Sequence, residues 1–210
     1  MTKKALAIEL SRLRVFEHPK TNLEQYPTDS EIAAEILWNA YMKGDIKGKV
    51  IADLGAGTGI LGMGALLLGA KRVIFEDIDP DALKVARENK ALIEQENSVR
   101  FDADFQAGDV IEFDEDVDIV IMNPPFGAQN TKADTMFLEK AMQAADVIYT
   151  FHKASTKEYI NSYAASNGYE TTDYWEFDWP LKNTMAHHTK RIERIKVGGW
   201  RLEKKGALED

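Results

Sequence analysis

VIADLGAGTGIL, residues 50–61, joins a short apolar run to three glycines spaced two apart. The run Val50–Leu54 reads as a buried strand, Gly55, Gly57 and Gly59 as a loop, and a helix begins near Ile60. A strand, a tight glycine turn and a helix N-terminus in that order open an α/β sheet, with the loop at the carboxyl end of the strand where such sheets take ligands. Glycine there permits positive φ and lets a ligand lie against bare backbone.

Outward from this unit, short apolar strands alternate with amphipathic helices, the pattern of a parallel sheet covered on both faces. A second strand spans Arg72–Asp77, and Asp79 and Pro80 supply an N-cap and an N1 proline for a helix to about Glu96. The third strand, 99–107, alternates Val99, Phe101, Ala103 and Phe105 with Arg100, Asp102, Asp104 and Gln106. The fourth, 117–122, runs straight into Asn123; a helix over about 134–145 and a fifth strand at 147–151 follow. Ser155 and Glu158 make a capping box for a helix that Gly168 ends, and 169–179 and 191–200 read as two final strands joined by a basic loop. Upstream, Leu6, Leu10, Leu13 and Phe16 share one face of a helix over 3–16, and Thr28 with Glu31 caps a helix carrying Ile32, Ile36 and Leu37. The expected architecture is one α/β domain over residues 1–210. It has a doubly wound, mostly parallel seven-stranded sheet, a C-terminal antiparallel strand pair, and an N-terminal helical extension over about 1–28.

Composition narrows the class. The 210 residues are 44% hydrophobic, enough for a full core, and no apolar window approaches a membrane span. There is no cysteine, which removes disulfides, thiolate metal sites and Cys nucleophiles, and the N-terminus has no signal-peptide pattern; a cytoplasmic protein is expected. The net charge of −9 is unevenly spread: residues 1–20 carry +3, residues 182–205 carry +6, and residues 21–181 carry −16. An acidic body with two basic ends is consistent with ordinary solvated surfaces or with an anionic polymer held at the ends.

Gly57-x-Gly59-x-x-Gly62 also satisfies a dinucleotide-binding pattern. Asp53, two residues before the loop, argues against it, because a carboxylate there welcomes an ammonium and repels a diphosphate. Asp77 lies near the spacing at which an acid meets a ribose diol, and two hydroxyls facing one carboxylate form a strong pair of hydrogen bonds. Asp79 is read as a helix cap. Asp109, in Gly108-Asp109-Val110, is either a solvated turn residue or an acceptor for an adenine amino group.

Asn123-Pro124-Pro125-Phe126 is the most specific segment. An exocyclic amine conjugated to a purine is a poor nucleophile, because its lone pair is delocalised into the ring. An Asn oxygen and a Pro carbonyl can accept from its two N–H bonds and turn that lone pair toward an electrophilic methyl. The prolines hold the acceptors in place, and Phe126 offers a face for an extruded base. A proline-rich turn ending a strand is the plain alternative.

Together DLGAGTGIL, EDIDPDAL, GDV and NPPF resemble the Rossmann-like class I methyltransferases that act on planar, conjugated nitrogen. LEQYPT at 23–28, NPPFG at 123–127 and FHKASTKE at 151–158 resemble more closely the small archaeal and eukaryotic N6-adenosine methyltransferases of small-subunit ribosomal RNA. That resemblance implies S-adenosylmethionine as methyl donor, S-adenosylhomocysteine as product, and no metal. It implies a cofactor site lined by Gln25, Thr28, Gly55, Thr58, Ile60, Asp77, Asp109 and Val110, to which the loop reading adds Asp53, Gly57 and Gly59. It also implies Asn123, Pro124, Pro125 and Phe126 around the target adenine, with His152 and Lys153 near the mouth. Where eukaryotic relatives carry loop cysteines, this chain has Ala56 and Thr58. Those relatives also need a small zinc-binding activator protein, which pairs with an edge strand; here the edge is the third strand, about 99–107. Structured ribosomal RNA is the expected partner, gripped by Lys182, Lys190, Arg191 and Arg194 among others.

His187-His188 has no carboxylate nearby at ligand spacing and reads as polar loop. Tyr26, Trp175 and Trp179 read as core or rim packing. Two other functions fit part of the pattern. A protein glutamine N5-methyltransferase shares the Asn-Pro-Pro-aromatic motif but usually carries an extra N-terminal helical domain, and a cofactor-binding RNA scaffold has no use for an intact NPPF.

Overall fold

The computed structural model describes residues 1–17, 19–20, 23–126, 133–181 and 193–206, without the side chains of 133–134, 180–181 and 193–194. The runs VIADL, RVIFED and IVIM form β1 (Val50–Leu54), β2 (Arg72–Asp77) and β4 (Ile119–Met122). Buried on both faces, they are near-continuous in apolar character, as central parallel strands require. With β3 (Ala103–Ala107), β5 (Val147–Lys153), β6 (Tyr169–Leu181) and β7 (Glu193–Lys204), they build one seven-stranded sheet ordered β3-β2-β1-β4-β5-β7-β6. The first five strands are parallel; β7 lies antiparallel to both β5 and β6.

Strand alternation sorts the core. Ile51, Phe75, Ile121 and Phe151 face α1 (Lys3–Ser11), α2 (Ser30–Lys43), α3 (Ile60–Leu67) and α4 (Pro80–Asn97). Leu54, Ile74, Val120 and Ile148 face α5 (Ala133–Ala144) and α6 (Lys157–Ser166). The strand order reverses between β1 and β4, and Leu54 pairs with Met122. The glycine loop and Asn123 therefore leave neighbouring strands at the same level, at the switch point where an open sheet parts its connections into a crevice.

Several expected boundaries move. The first helix stops at Ser11 instead of reaching 16, and the described residues between Arg12 and Thr28 run on as a strap without α-helix. Asp29, not Thr28, caps α2, its Oδ1 accepting from Glu31 N at 3.0 Å and Ile32 N at 3.2 Å. The third strand starts at Ala103, not 99, because buried Glu94 takes up the preceding residues: its carbonyl accepts from Val99 N and its Oε1 from Phe101 N. No side chain caps α6, which a 3-10 turn at Ala154–Thr156 precedes, so the Ser155–Glu158 box does not form. Both C-terminal strands run longer than expected, and β3 is a sheet edge as expected. The basic loop, with Lys182, Lys190, Arg191 and the His187-His188 pair, lies outside the described residues, as does Gly127.

Candidate active site

The glycine loop is held in a shape side chains would spoil. Gly55 and Gly57 have φ of +67° and +55°, and a Cβ added to either would sit 2.9 Å from Phe137 or Phe16 respectively. Two buried carboxylates hold the loop and the helix that follows it. Asp53 Oδ2 accepts from Gly62 N at 2.8 Å, and Asp77 accepts from Gly57 N at 2.7 Å and Asp79 N at 2.8 Å. Beside them Glu76 is 3% exposed; its Oε1 has no hydrogen-bond partner among the described residues, and its Oε2 receives only a long bond from Gly55 N.

Burial pushes the Asp53 carboxyl up to about 7, opposed by the Gly62 N–H and helped by the charge of Asp77. Burial, with Asp77 alongside, pushes Glu76 up to about 8. Asp77 is raised by burial too, against the two backbone donors that favour its charged form. A cleft floored by such acids is built for a cation and unsuited to a diphosphate.

Across the cleft, Asn123 follows β4 at the start of NPPF. Its Nδ2 donates to Thr28 Oγ1 at 3.0 Å, and its Oδ1 has no partner among the described residues. Pro124 is buried behind it, and the Phe126 ring meets buried Trp179 edge to face with centroids 6.3 Å apart.

The strap closes the third side. Asn89 Oδ1 accepts from Arg14 N, while Asn89 Nδ2 donates to the carbonyls of Arg14 and Thr58. Lys20 Nζ and Gln25 Nε2 each donate to Asp79 at 2.7 Å, and Gln25 Oε1 accepts from Lys20 N. Loop, strap and NPPF together enclose a cavity of about 260 Å³.

Of the expected cofactor residues, Gln25, Thr28, Asp53, Gly55, Gly57, Thr58, Ile60, Asp77, Asp109 and Val110 line this cavity, as do Asn123 and Pro125 of NPPF. Gly59 instead serves as the N-cap of α3, Pro124 stands behind the wall, and Phe126 stands beside the cavity against Trp179. The Gln25 amide is engaged on both sides, so it shapes the cavity by holding the strap to Asp79. Asp109 caps the single turn Val110–Glu112 through Ile111 N, which satisfies the plain reading of that residue and still leaves it on the cavity wall.

The residues expected to face RNA divide. His152 is fully buried, bonded to Thr150 Oγ1 at 2.8 Å and stacked edge to face on Trp200, so its imidazole offers no surface for a phosphate. Lys153, next along β5, is the partly exposed member of the pair. Arg194 lies on β7.

Sequence reasoning missed Glu76, Phe16, Ile78, Met136 and Phe137 on the cavity wall. Glu76 carries the one legible signal, an acid inside an otherwise apolar buried strand. Phe16 and Phe137 reach the loop by tertiary packing that no local spacing announces. Among the described residues there is no group of three or more potential ligands poised to hold a metal ion, and no helix long and apolar enough to cross a membrane.

The family model described as methyltransferase small domain matches residues 28–150. An uncharacterised protein of Methanocaldococcus jannaschii is 38% identical over 97% of this chain and 95% of its own. The rRNA N6-adenosine methyltransferase of Danio rerio is 35% identical over 94% of this chain and 96% of its own. A crystal structure of a candidate RNA methyltransferase from Pyrococcus horikoshii superposes with a TM-score of 0.87 at 44% identity, covering 96% of this chain and 98% of that one.

Proposed function

The chain belongs to the methyltransferase small domain family, and from that premise we propose that it methylates N6 of an adenosine in small-subunit ribosomal RNA, with S-adenosylmethionine as donor. The observation that carries this reading is Asn123: it lines a cavity whose opposite wall is a glycine loop over buried acids, and its amide oxygen has no partner among the described residues. Like chains named as rRNA N6-adenosine methyltransferases over nearly their whole length support it.

S-adenosylmethionine supplies a methyl group made electrophilic by a sulfonium sulfur. Around it each residue has a definable task. Asp53, Glu76 and Asp77 favour a cation in the cleft, and Asp77, with lone pairs beyond those given to Gly57 and Asp79, accepts from ribose hydroxyls. Asn123 Oδ1 and the Pro124 carbonyl accept the two N–H bonds of the adenine amine, which localises its lone pair. Phe126, braced by Trp179, stacks the base. The strap excludes water. No strong general base is required, because the surplus proton leaves after the N–C bond forms. In this reading residues 1–210 act as one unit, Lys153 and the basic segment with Lys182, Lys190, Arg191 and Arg194 hold the RNA, and the β3 edge receives a small activator protein.

Labelled cofactor offered with ribosomal RNA and with ribosomal proteins in parallel tests the reading. Label in RNA is expected; label in a protein glutamine alone overturns it in favour of N5-methylation.

A further inference from the structure

The bond between Thr28 and Asn123 does more than pack two loops together. Thr28 sits at the end of the strap, on the wall of the cavity, immediately before the residue that caps α2. Asp29 does the capping, so the Thr28 hydroxyl is not spent on the helix, and it accepts instead from the Asn123 amide 95 positions away.

An Asn amide has two faces of opposite polarity related by a half-turn about its last torsion. For the proposed chemistry only one orientation works. Oδ1 must face the adenine amine, because Nδ2 there would set donor against donor and draw no N–H bond away from the nitrogen. The structure turns Nδ2 to Thr28 and leaves the buried Oδ1 without a partner among the described residues, the amide orientation that the proposed chemistry needs.

A hydroxyl alone does not enforce that choice. With one hydrogen and two lone pairs, Thr28 can accept from Nδ2 or, after the half-turn, donate to Oδ1. The second option disappears once the hydroxyl hydrogen is given elsewhere, and Thr28 lines the cavity, where an occupant can take it. An occupant with an acceptor there, such as the carboxylate of an amino-acid moiety, takes the hydrogen and leaves Thr28 able only to accept.

We propose that Thr28 is a positioning residue that relays cofactor occupancy to Asn123: a bound cofactor engages the Thr28 hydrogen, and Thr28 then locks the Asn123 amide with its acceptor toward the adenine. The inference rests on the methyltransferase reading and assigns Thr28 a second task beyond lining the cofactor site. It makes the acceptor half of the site competent only when the donor half is filled, so an adenosine is not gripped in unproductive complexes.

Thr28→Val, close to threonine in shape but without the hydroxyl, and Thr28→Ser, which restores it, separate this role from packing. S-adenosylhomocysteine affinity is measured by calorimetry, methyl transfer at saturating cofactor, and RNA affinity with and without S-adenosylhomocysteine. The valine variant should lose about thirtyfold or more in transfer rate even at saturating cofactor, and Thr28→Ser should return to within about threefold of wild type. In the wild type, S-adenosylhomocysteine should tighten RNA binding at least about threefold, and in Thr28→Val that coupling should vanish. Thr28→Ala repeats the comparison if the valine variant melts early. A valine variant within about threefold of the wild-type rate, or one fully rescued by more cofactor, overturns the relay while leaving the methyltransferase reading intact. A wild type that binds no S-adenosylhomocysteine and transfers no methyl group overturns both.

Discussion

Asp77 Oδ2 accepts the backbone N–H of Gly57 at 2.7 Å, so the acid at the end of β2 holds the glycine loop at the end of β1 in place before any ligand arrives. Its other oxygen accepts from Asp79 N, fixing the start of α4. One side chain thereby organises both the glycine loop and the start of α4.

Replacing it should show in two measurements. Asp77→Ala leaves the buried Asp79 N–H and the part-buried Gly57 N–H without their acceptor and should lower the stability of the free protein by roughly 1–3 kcal/mol. Calorimetry should show S-adenosylmethionine affinity weakened by roughly 2 kcal/mol, as for lost charge-assisted bonds to a diol. A variant with unaltered affinity would remove Asp77 from the cofactor site.

The buried acids give the free protein a pH dependence of definite sign. Asp53 and Glu76 have folded values raised to about 7 and about 8, far above those of an unfolded chain. Their contribution to stability is fully present below the unfolded carboxylate range and is lost as pH rises through the folded values. Glu76→Gln should therefore flatten the fall in melting temperature between about pH 4 and pH 8 relative to wild type. A cationic cofactor opposes the shift, so its binding near neutral pH should release protons, seen as binding heats that vary with buffer ionisation enthalpy. Identical heats in phosphate and Tris would contradict this account of the cleft.

Much of this arrangement is legible in the chain. β1, β2 and the Asp79-Pro80 helix start are read correctly because buried parallel strands are uninterrupted apolar runs and the cap is local chemistry. The NPPF segment and the glycine loop face each other because β1 and β4 pair, which the doubly wound pattern implies. What escapes is decided at a distance. Thr28-x-x-Glu31 has the form of a capping box, yet Asp29 takes the cap and Thr28 is left for Asn123. The helical spacing from Leu6 to Phe16 continues past Ser11, but Asn89 draws Arg14 into the strap and Phe16 covers Gly57. His152 belongs to a stretch that resembles a site mouth, and the strand's alternation turns it inward onto Trp200.

RNA binding should rest on the basic ends, against repulsion by the −16 segment between them. Affinity should fall steeply with salt, by a slope of about −0.7 per single-stranded phosphate neutralised. The triple variant Lys190→Glu, Arg191→Glu, Arg194→Glu should bind more weakly and with a shallower slope. Equal affinity and slope in the two proteins would show that this end does not hold the RNA.

The β3 edge at 103–107 has no strand on its outer side among the described residues; Arg87 donates to the Phe105 carbonyl there, Val99 and Ile111 are exposed nearby, and Asp104 pairs to Arg72. A zinc-binding activator seated there should slow amide exchange at 103–107 and leave β6, the opposite edge, unchanged. Unchanged exchange at 103–107 in the presence of the activator would assign this edge no partner of that kind.

The most direct measurement is nucleoside analysis by mass spectrometry of ribosomal RNA treated with wild-type protein and with Asn123→Ala, alongside the S-adenosylmethionine affinity of each. The account predicts N6-methyladenosine at a single position with wild type, a loss of about a hundredfold or more with Asn123→Ala, and cofactor affinities that agree within about threefold. Methyl transfer by Asn123→Ala within about threefold of wild type, or a methylated nucleoside other than N6-methyladenosine, would contradict it.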